Sequence, residues 1–304
     1  MRRLFLAGLL VLASAVSGAA EDRGWSLLGK GRLTVNDLFG DRIDRWRTGS
    51  IAASYVFGPE WTGRLPSLPG QLLEFRILGE VIAPIRLDIP AAMDRPYSQA
   101  VSLGLHTHFE RGGWQMAMGA DAVITGPQTG LSNFQMFLHR VSRFDHMLHP
   151  AVEAAQVPNG MHASAVVEIG REIALGGAVL RPFAELRAGV EDMARVGVDL
   201  SFGPAGRGEL LVRDPVTGHR YRTVTRKDRG YTFVAGADVA KVWESLYLPA
   251  ATNTLTEARY RVRAGVHWQR EAWAGFYGLT LLGPEFVGQR ESQLVGALRF
   301  QFRF

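Results

Sequence analysis

From Thr256 to Trp268 the chain alternates without interruption: Ala258, Tyr260, Val262, Ala264, Val266 and Trp268 fall on one side, and Arg259, Arg261, Arg263, Gly265 and His267 on the other. Successive side chains of an extended strand point to opposite faces, so this segment has one apolar and one cationic face. A helix would scatter the arginines; a strand gathers them. The chain ends the same way, with Leu298, Phe300, Phe302 and Phe304 opposed to Arg299, Gln301 and Arg303.

Two architectures satisfy such strands. In a soluble sandwich the apolar face is the core, whereas in a membrane barrel it meets lipid and the arginines line the lumen. Export favours the barrel: Arg2 and Arg3, the apolar run Leu4 to Val16, and the small-residue exit Ser17-Gly18-Ala19-Ala20 read as a signal peptide over residues 1–20. The remainder, 21–304, then forms a single barrel domain. Beyond the leader no apolar run reaches the roughly 18–20 residues of a spanning helix. The strands, at about 10–13 residues, suit a tilted crossing better than a sandwich.

The expected fold is therefore all-β, a transmembrane antiparallel barrel of about twelve strands. They fall near 25–36, 45–57, 71–83, 97–109, 113–125, 160–172, 178–190, 193–202, 229–247, 256–268, 271–282 and 293–304. Short turns such as Arg111-Gly112 and Gln269-Arg270 alternate with longer segments near 37–44, 84–96, 126–159, 203–228, 248–255 and 283–292, expected outside the cell. In the longest, Ser132 to Phe144 carries Phe134, Phe137, Leu138 and Val141 at helical spacing, which predicts a short helix folded over or into the barrel mouth.

Composition narrows the chemistry. There is no cysteine, which excludes thiolate zinc sites and a cysteine nucleophile. A formal net charge of +5, without basic clusters, sets nucleic acid aside. No G-x-S-x-G elbow, P-loop or H-E-x-x-H sequence is present.

Polar residues at strand ends are the remaining candidates. Taking apolar residues as lipid-facing puts Leu33, Val35, Ile51, Ala53, Tyr55 and Phe57 outside, and Thr34, Asn36, Thr48, Ser50 and Ser54 inside. Asn36 and Thr48 would then be neighbours at one rim. Asp37 is either half of an Asn-Asp turn or a Ca²⁺ ligand assisted by carbonyls. His139, one helical turn after Gln135, is a surface residue or a general base. His106 and His108 share an inward face, as packing residues or as two metal ligands. Arg259, Arg261 and Arg263, with Arg181 and Arg187, either pair with acids such as Glu185 or bind substrate phosphates.

Several segments taken together carry a family resemblance: Asn36-Asp37-Leu38-Phe39, Asp44-Arg45-Trp46-Arg47-Thr48, Asp94-Arg95-Pro96-Tyr97, and Thr125-Gly126-Pro127-Gln128-Thr129-Gly130 followed by Gln135 and His139. In this order they resemble the outer-membrane lipid A 3′-O-deacylase family. The resemblance implies a twelve-stranded barrel of the bacterial outer membrane that hydrolyses the 3′-linked acyloxyacyl ester of lipid A (lipopolysaccharide) with Ca²⁺, expected to work as a monomer. It implies His139 as the base activating water, Asn36 as an oxyanion donor, Asp37 at the metal site and Thr48 in support. The family's lysine after the third strand has no counterpart between Gly79 and Pro90, where Arg86 is the nearest cation. Two alternatives stay open: a barrel without catalysis, acting as channel or lipid scaffold, and an outer-membrane phospholipase.

Overall fold

The computed structural model describes residues 24–89, 94–142, 148–204, 206–226 and 228–302. The leader assigned to residues 1–20, Phe144, Arg303 and Phe304 lie outside the described residues.

The strands form where alternation places them: β1 (Ser26–Asn36), β2 (Trp46–Gly58), β3 (Leu73–Ala83), β4 (Ser98–Arg111), β5 (Trp114–Thr125), β6 (Gly160–Gly170), β7 (Ile173–Leu175), β8 (Ala178–Ala188), β9 (Glu191–Phe202), β10 (Leu210–Arg213), β11 (Arg220–Val224), β12 (Gly230–Ser245), β13 (Arg259–Gln269), β14 (Trp273–Leu282) and β15 (Gln293–Phe302). Twelve long strands pair antiparallel with their neighbours, and β1 meets β15 at Thr34↔Leu298 through Asn36↔Gly296. Pairing of β6 with β8, from Ala165↔Ala188 to Gly170↔Phe183, completes the ring; the three residues of β7 extend it along β8. A ring leaves no long unpaired strand edge, as hydrocarbon demands.

The faces decide between sandwich and barrel. On β13, Tyr260 and Val262 are 41% and 51% exposed while Arg259, Arg261 and Arg263 are buried. The apolar face is thus the outer one and the interior is charged, the arrangement of a barrel in lipid. Trp25, Trp114, Tyr231 and Trp273 stand exposed where β1, β5, β12 and β14 begin, at one rim, and Trp243 and Tyr260 stand toward the other. Such aromatic girdles settle at membrane interfaces. No described helix is long and apolar enough to cross a membrane.

The lumen is plugged by a hairpin that alternation did not reveal. β10 and β11 pair with each other and lie inside the barrel against β1. A Cβ on Gly29 would stand 2.4 Å from the Thr223 carbonyl oxygen, and one on Gly31 2.8 Å from that of Arg222, so these glycines permit the approach. Leu33 and Val35, expected to face lipid, instead point inward and pack with Leu210, Val212 and Tyr221. An apolar residue on a barrel strand signals lipid only if nothing apolar fills the lumen.

Ion pairs hold the plug. Arg213 stacks on Phe183 at 3.6 Å and reaches Glu168 at 2.6 Å and Asp199 at 2.7 Å. Arg261 pairs with Asp238 at 2.9 Å and donates to the Pro215 and Val216 carbonyls at the hairpin tip. The segment 203–228, grouped above with the external loops, belongs to the other rim. Its ends bond to Trp61 (Nε1 to the Gly208 carbonyl, 3.0 Å) and Gln269 (Nε2 to the Arg226 carbonyl, 2.8 Å), at the end where Ser26 pairs with Gly58. On the external side the β8–β9 connection is only Gly189-Val190, with Gly189 at φ 127.

Candidate active site at the external rim

Where β1 ends, Asn36 caps a single 3₁₀ turn, Asp37–Phe39: its Oδ1 accepts from the Leu38 amide at 2.9 Å, and its Nδ2 donates to the Thr48 carbonyl at 3.0 Å. The turn closes through the Asp37 carbonyl, which accepts from the Gly40 and Arg42 amides. Asp37 is thereby set into the rim, 5% exposed.

Thr48 reaches the same place through a bulge. β2 pairs Trp46 with Ala83 and Gly49 with Val81, so it carries one residue more than β3 there. Trp46 sits at φ 51, uncommon for a bulky residue. Gln293 clamps both sides of it, accepting from the Arg47 amide at 3.0 Å and donating to the Arg45 carbonyl at 2.5 Å. Arg47 consequently faces the lumen acids Glu80 and Glu285, while the adjacent Thr48 hydroxyl donates to Asp44. Strict alternation put Asn36 and Thr48 inside the barrel; the structure brings them together on its outer side, beside Thr34 and Ile51, which pair on that face.

The expected loop helix is present as α1 (Leu131–Ser142). It does not enter the mouth but packs against the outer side of β3 and β4. Two positive-φ glycines, Gly126 (φ 84) and Gly130 (φ 70), bracket the turn leading into it. Gln99 anchors its start, accepting from the Thr129 hydroxyl at 2.8 Å and the Ser132 amide at 2.9 Å. Gln135 and His139, one turn apart, face the rim and are buried, whereas Phe134 and Phe137 are half exposed. The polar face thus closes the site and the aromatic face is left for the membrane interface.

Four elements converge here. His139 Nε2 lies 3.1 Å from Asp44 Oδ2, and Gln135 accepts from the buried Tyr97 hydroxyl at 2.7 Å. Burial, with the charge of Asp44 adding to it, pushes the Tyr97 phenol well up, which keeps it a donor. Behind the site, Arg95 and Arg47 bind Glu285 at 2.5 and 2.9 Å, tying the loop before β4 to the loop before β15. Asp44 and Tyr97 were legible only as members of motifs, with no role that spacing alone could assign.

The cleft between wall and helix has a volume of about 550 Å³. Its upper part is polar, with Asn36, Asp37, Asp44, Thr48, Gln135 and His139; its lower part is Ile51, Ile77, Gly79, Val81, Val101 and Leu131, on the lipid side. Asp37 Oδ2 is buried without a hydrogen-bond partner. Burial, together with the neighbouring Asp44 carboxylate, pushes Asp37 up to about 7. A buried, unpartnered carboxylate oxygen near a second acid is a place that a hard cation relieves, so these residues fit Ca²⁺. Among the described residues no group of three His, Asp or Glu surrounds a common point, so carbonyls, water and substrate oxygens would complete its shell.

The structure places the other candidates elsewhere. Arg86 is exposed, pairs with Asp88 at 2.7 Å, and does not line the cleft; among the described residues the Arg or Lys that does is Arg42. Arg259, Arg261 and Arg263 face the lumen, paired with Glu191, Asp238 and Asp199, on the far side of the wall from the cleft. Arg181 and Arg187 pair with Glu168 and Glu185. His106 and His108 each bond a carboxylate, Asp121 at 3.2 Å and Glu74 at 2.7 Å, and are lumen packing residues.

A closed antiparallel barrel with a lipid-facing apolar exterior, a plugged charged lumen and a polar cleft on its external rim defines a bacterial outer-membrane protein. The chain belongs to the family described as outer membrane protein LpxR, whose model matches residues 4–304. Among solved structures it is similar to LpxR from Salmonella typhimurium, with a TM-score of 0.75 and 17% identity over 91% of this chain and 100% of that one. It is also similar, with a TM-score of 0.43 and 7% identity over 91% of this chain and 100% of that one, to the NanC porin. None of the curated proteins compared with the chain matched it.

Proposed function

We propose that the protein is an outer-membrane esterase that removes the 3′-linked acyl group of lipid A, with His139 as general base and Ca²⁺ at Asp37. The observation that supports it most is the His139–Asp44 pair at the polar end of a cleft that opens onto the lipid side of the wall. Family membership supports the substrate class.

The chemistry follows from the residues. His139 Nε2 lies 3.1 Å from Asp44 Oδ2, so the carboxylate is placed to orient the ring and to stabilise the imidazolium that forms when it takes a proton. His139 takes a proton from water as the water oxygen attacks the ester carbonyl carbon. The tetrahedral intermediate collapses with cleavage of the acyl carbon–oxygen bond, and His139 returns the proton to the departing sugar alkoxide, leaving a free fatty acid and a hydroxyl. Asn36 spends one Nδ2 hydrogen on the Thr48 carbonyl, which leaves the second for a developing oxyanion. Asp37, with Asp44 close by, would hold Ca²⁺, whose positive charge would stabilise the same oxyanion.

Ca²⁺ removal tests the metal. Chelation should reduce fatty acid release from purified lipid A about 10²-fold or more, with recovery on adding Ca²⁺ back. Because Asp37 is raised to about 7 without a cation, protons compete with Ca²⁺. The Ca²⁺ concentration for half-maximal activity should therefore fall as pH rises through 7. Full activity in chelator at every pH would refute the assignment.

Arg42 takes the cationic role that the family resemblance left to Arg86. It is exposed at the cleft, at φ 65, with its backbone N–H donating a hydrogen bond to the Asp37 carbonyl at 2.9 Å. It meets the anionic sugar phosphates of the substrate as a bidentate donor. Arg42→Ala should raise KM for lipid A about tenfold with little change in kcat, while Arg86→Ala leaves both unchanged. The reverse pattern would return the role to Arg86.

A further inference from the structure

We infer that Gly79 sets the width of the groove that receives the acyl chain, and so determines which chains are cleaved; the inference rests on the esterase reading of the cleft. Gly79 lies on the outer face of β3, in register with Ile51 on β2 and Val101 on β4. These two flank it on the barrel wall, and Leu131 of α1 packs against it. A Cβ built on Gly79 would stand 3.8 and 3.9 Å from the two Leu131 methyl carbons, ordinary contact distance. One added carbon therefore reaches the helix without a clash, so Gly79 and Leu131 close one side of the groove, and a longer side chain must extend from that side into the passage beside Ile51 and Val101.

The occupant follows from what the groove joins. Its upper end is the Asp37, Asp44, Thr48 and His139 cluster; Ile51 and Val101 stand level with Gly79, and Ile77 lies beyond it, on the face that meets hydrocarbon. A molecule spanning both ends has an ester at the top and an alkyl chain below, lying along the barrel wall under α1. A short acyl group needs only the polar end; a long one must pass Gly79.

The test compares p-nitrophenyl butyrate with p-nitrophenyl palmitate on the full barrel refolded in detergent with Ca²⁺. Gly79→Leu should lower kcat/KM for the palmitate about tenfold or more, keep butyrate hydrolysis within about threefold, and Gly79→Ala should fall between wild type and Gly79→Leu. Retained butyrate activity shows that the variant is folded and its polar end intact. Equal losses on both esters, or no loss on either, would overturn the role of Gly79 alone. A wild type that cleaves neither ester, or whose cleavage survives His139→Ala, would instead remove the esterase reading and this inference with it.

Discussion

His139→Ala is expected to lower the initial rate of fatty acid release from lipid A by about 10³-fold, within the 10²–10⁴-fold range of a positioned general base. Asp44→Asn should cost about 10²-fold. The amide keeps the shape and can still accept from the Thr48 hydroxyl, but it no longer sets a carboxylate charge 3.1 Å from the ring nitrogen. Tyr97→Phe should cost less, because Tyr97 reaches the site through its hydrogen bond to Gln135. The measurement is initial rate at saturating Ca²⁺ across pH 6–9, on variants shown to be folded. The three variants should give a graded series; an Asp44→Asn enzyme as fast as wild type would remove Asp44 from the site and leave His139 to be oriented by something else.

The second large effect is structural. Arg213→Ala is expected to destabilise the barrel by about 3 kcal/mol, the lower end for a broken buried ion pair, because Glu168 keeps Arg181 and Asp199 keeps Arg263. The urea midpoint in lipid or detergent reports it. The same hairpin makes the wild type a poor pore, since it fills the lumen from the rim near Gly208 to Pro215 and Val216 beside Arg261. Planar bilayers should show no steady conductance for wild type. Replacing residues 209–225 with a short Gly-Ser linker should open one. A conducting wild type would favour the channel reading, and an unchanged urea midpoint in Arg213→Ala would show that the plug is held by other contacts.

The strands were legible because lipid enforces alternation over their whole length, as in Thr256 to Trp268, whose arginines face inward as expected. Their ends shifted by a few residues where glycine made the turn, as at Gly189. The hairpin was not legible. β10 and β11 are too short for a periodic signal, and their partners, Glu168 and Asp199, are remote in sequence. That omission also misplaced Leu33 and Val35, since an apolar lumen face looks like a lipid face when the filling is unseen.

The site was legible in part. Asn36, Asp37, Thr48 and His139 do meet in one cleft, but on the opposite side of the wall from the one alternation assigned. For Thr48 the cause is a single extra residue at the β2 bulge, held by Gln293 from far along the chain, and for Asn36 it is the apolar hairpin that draws Leu33 and Val35 inward; no local pattern records either. Asp44 and Arg42 lie in the loop between β1 and β2, where periodicity says nothing, and become meaningful only once α1 is folded down beside them.

Mass spectrometry of lipid A, extracted from Gram-negative cells expressing the wild-type protein in the outer membrane, tests the central claim most directly. Lipid A should lose the mass of its 3′-linked acyloxyacyl group, with the free acid recovered in the medium or membrane. Lipid A of unchanged mass, in cells where the barrel is folded in the outer membrane and Ca²⁺ is present, would contradict the deacylase.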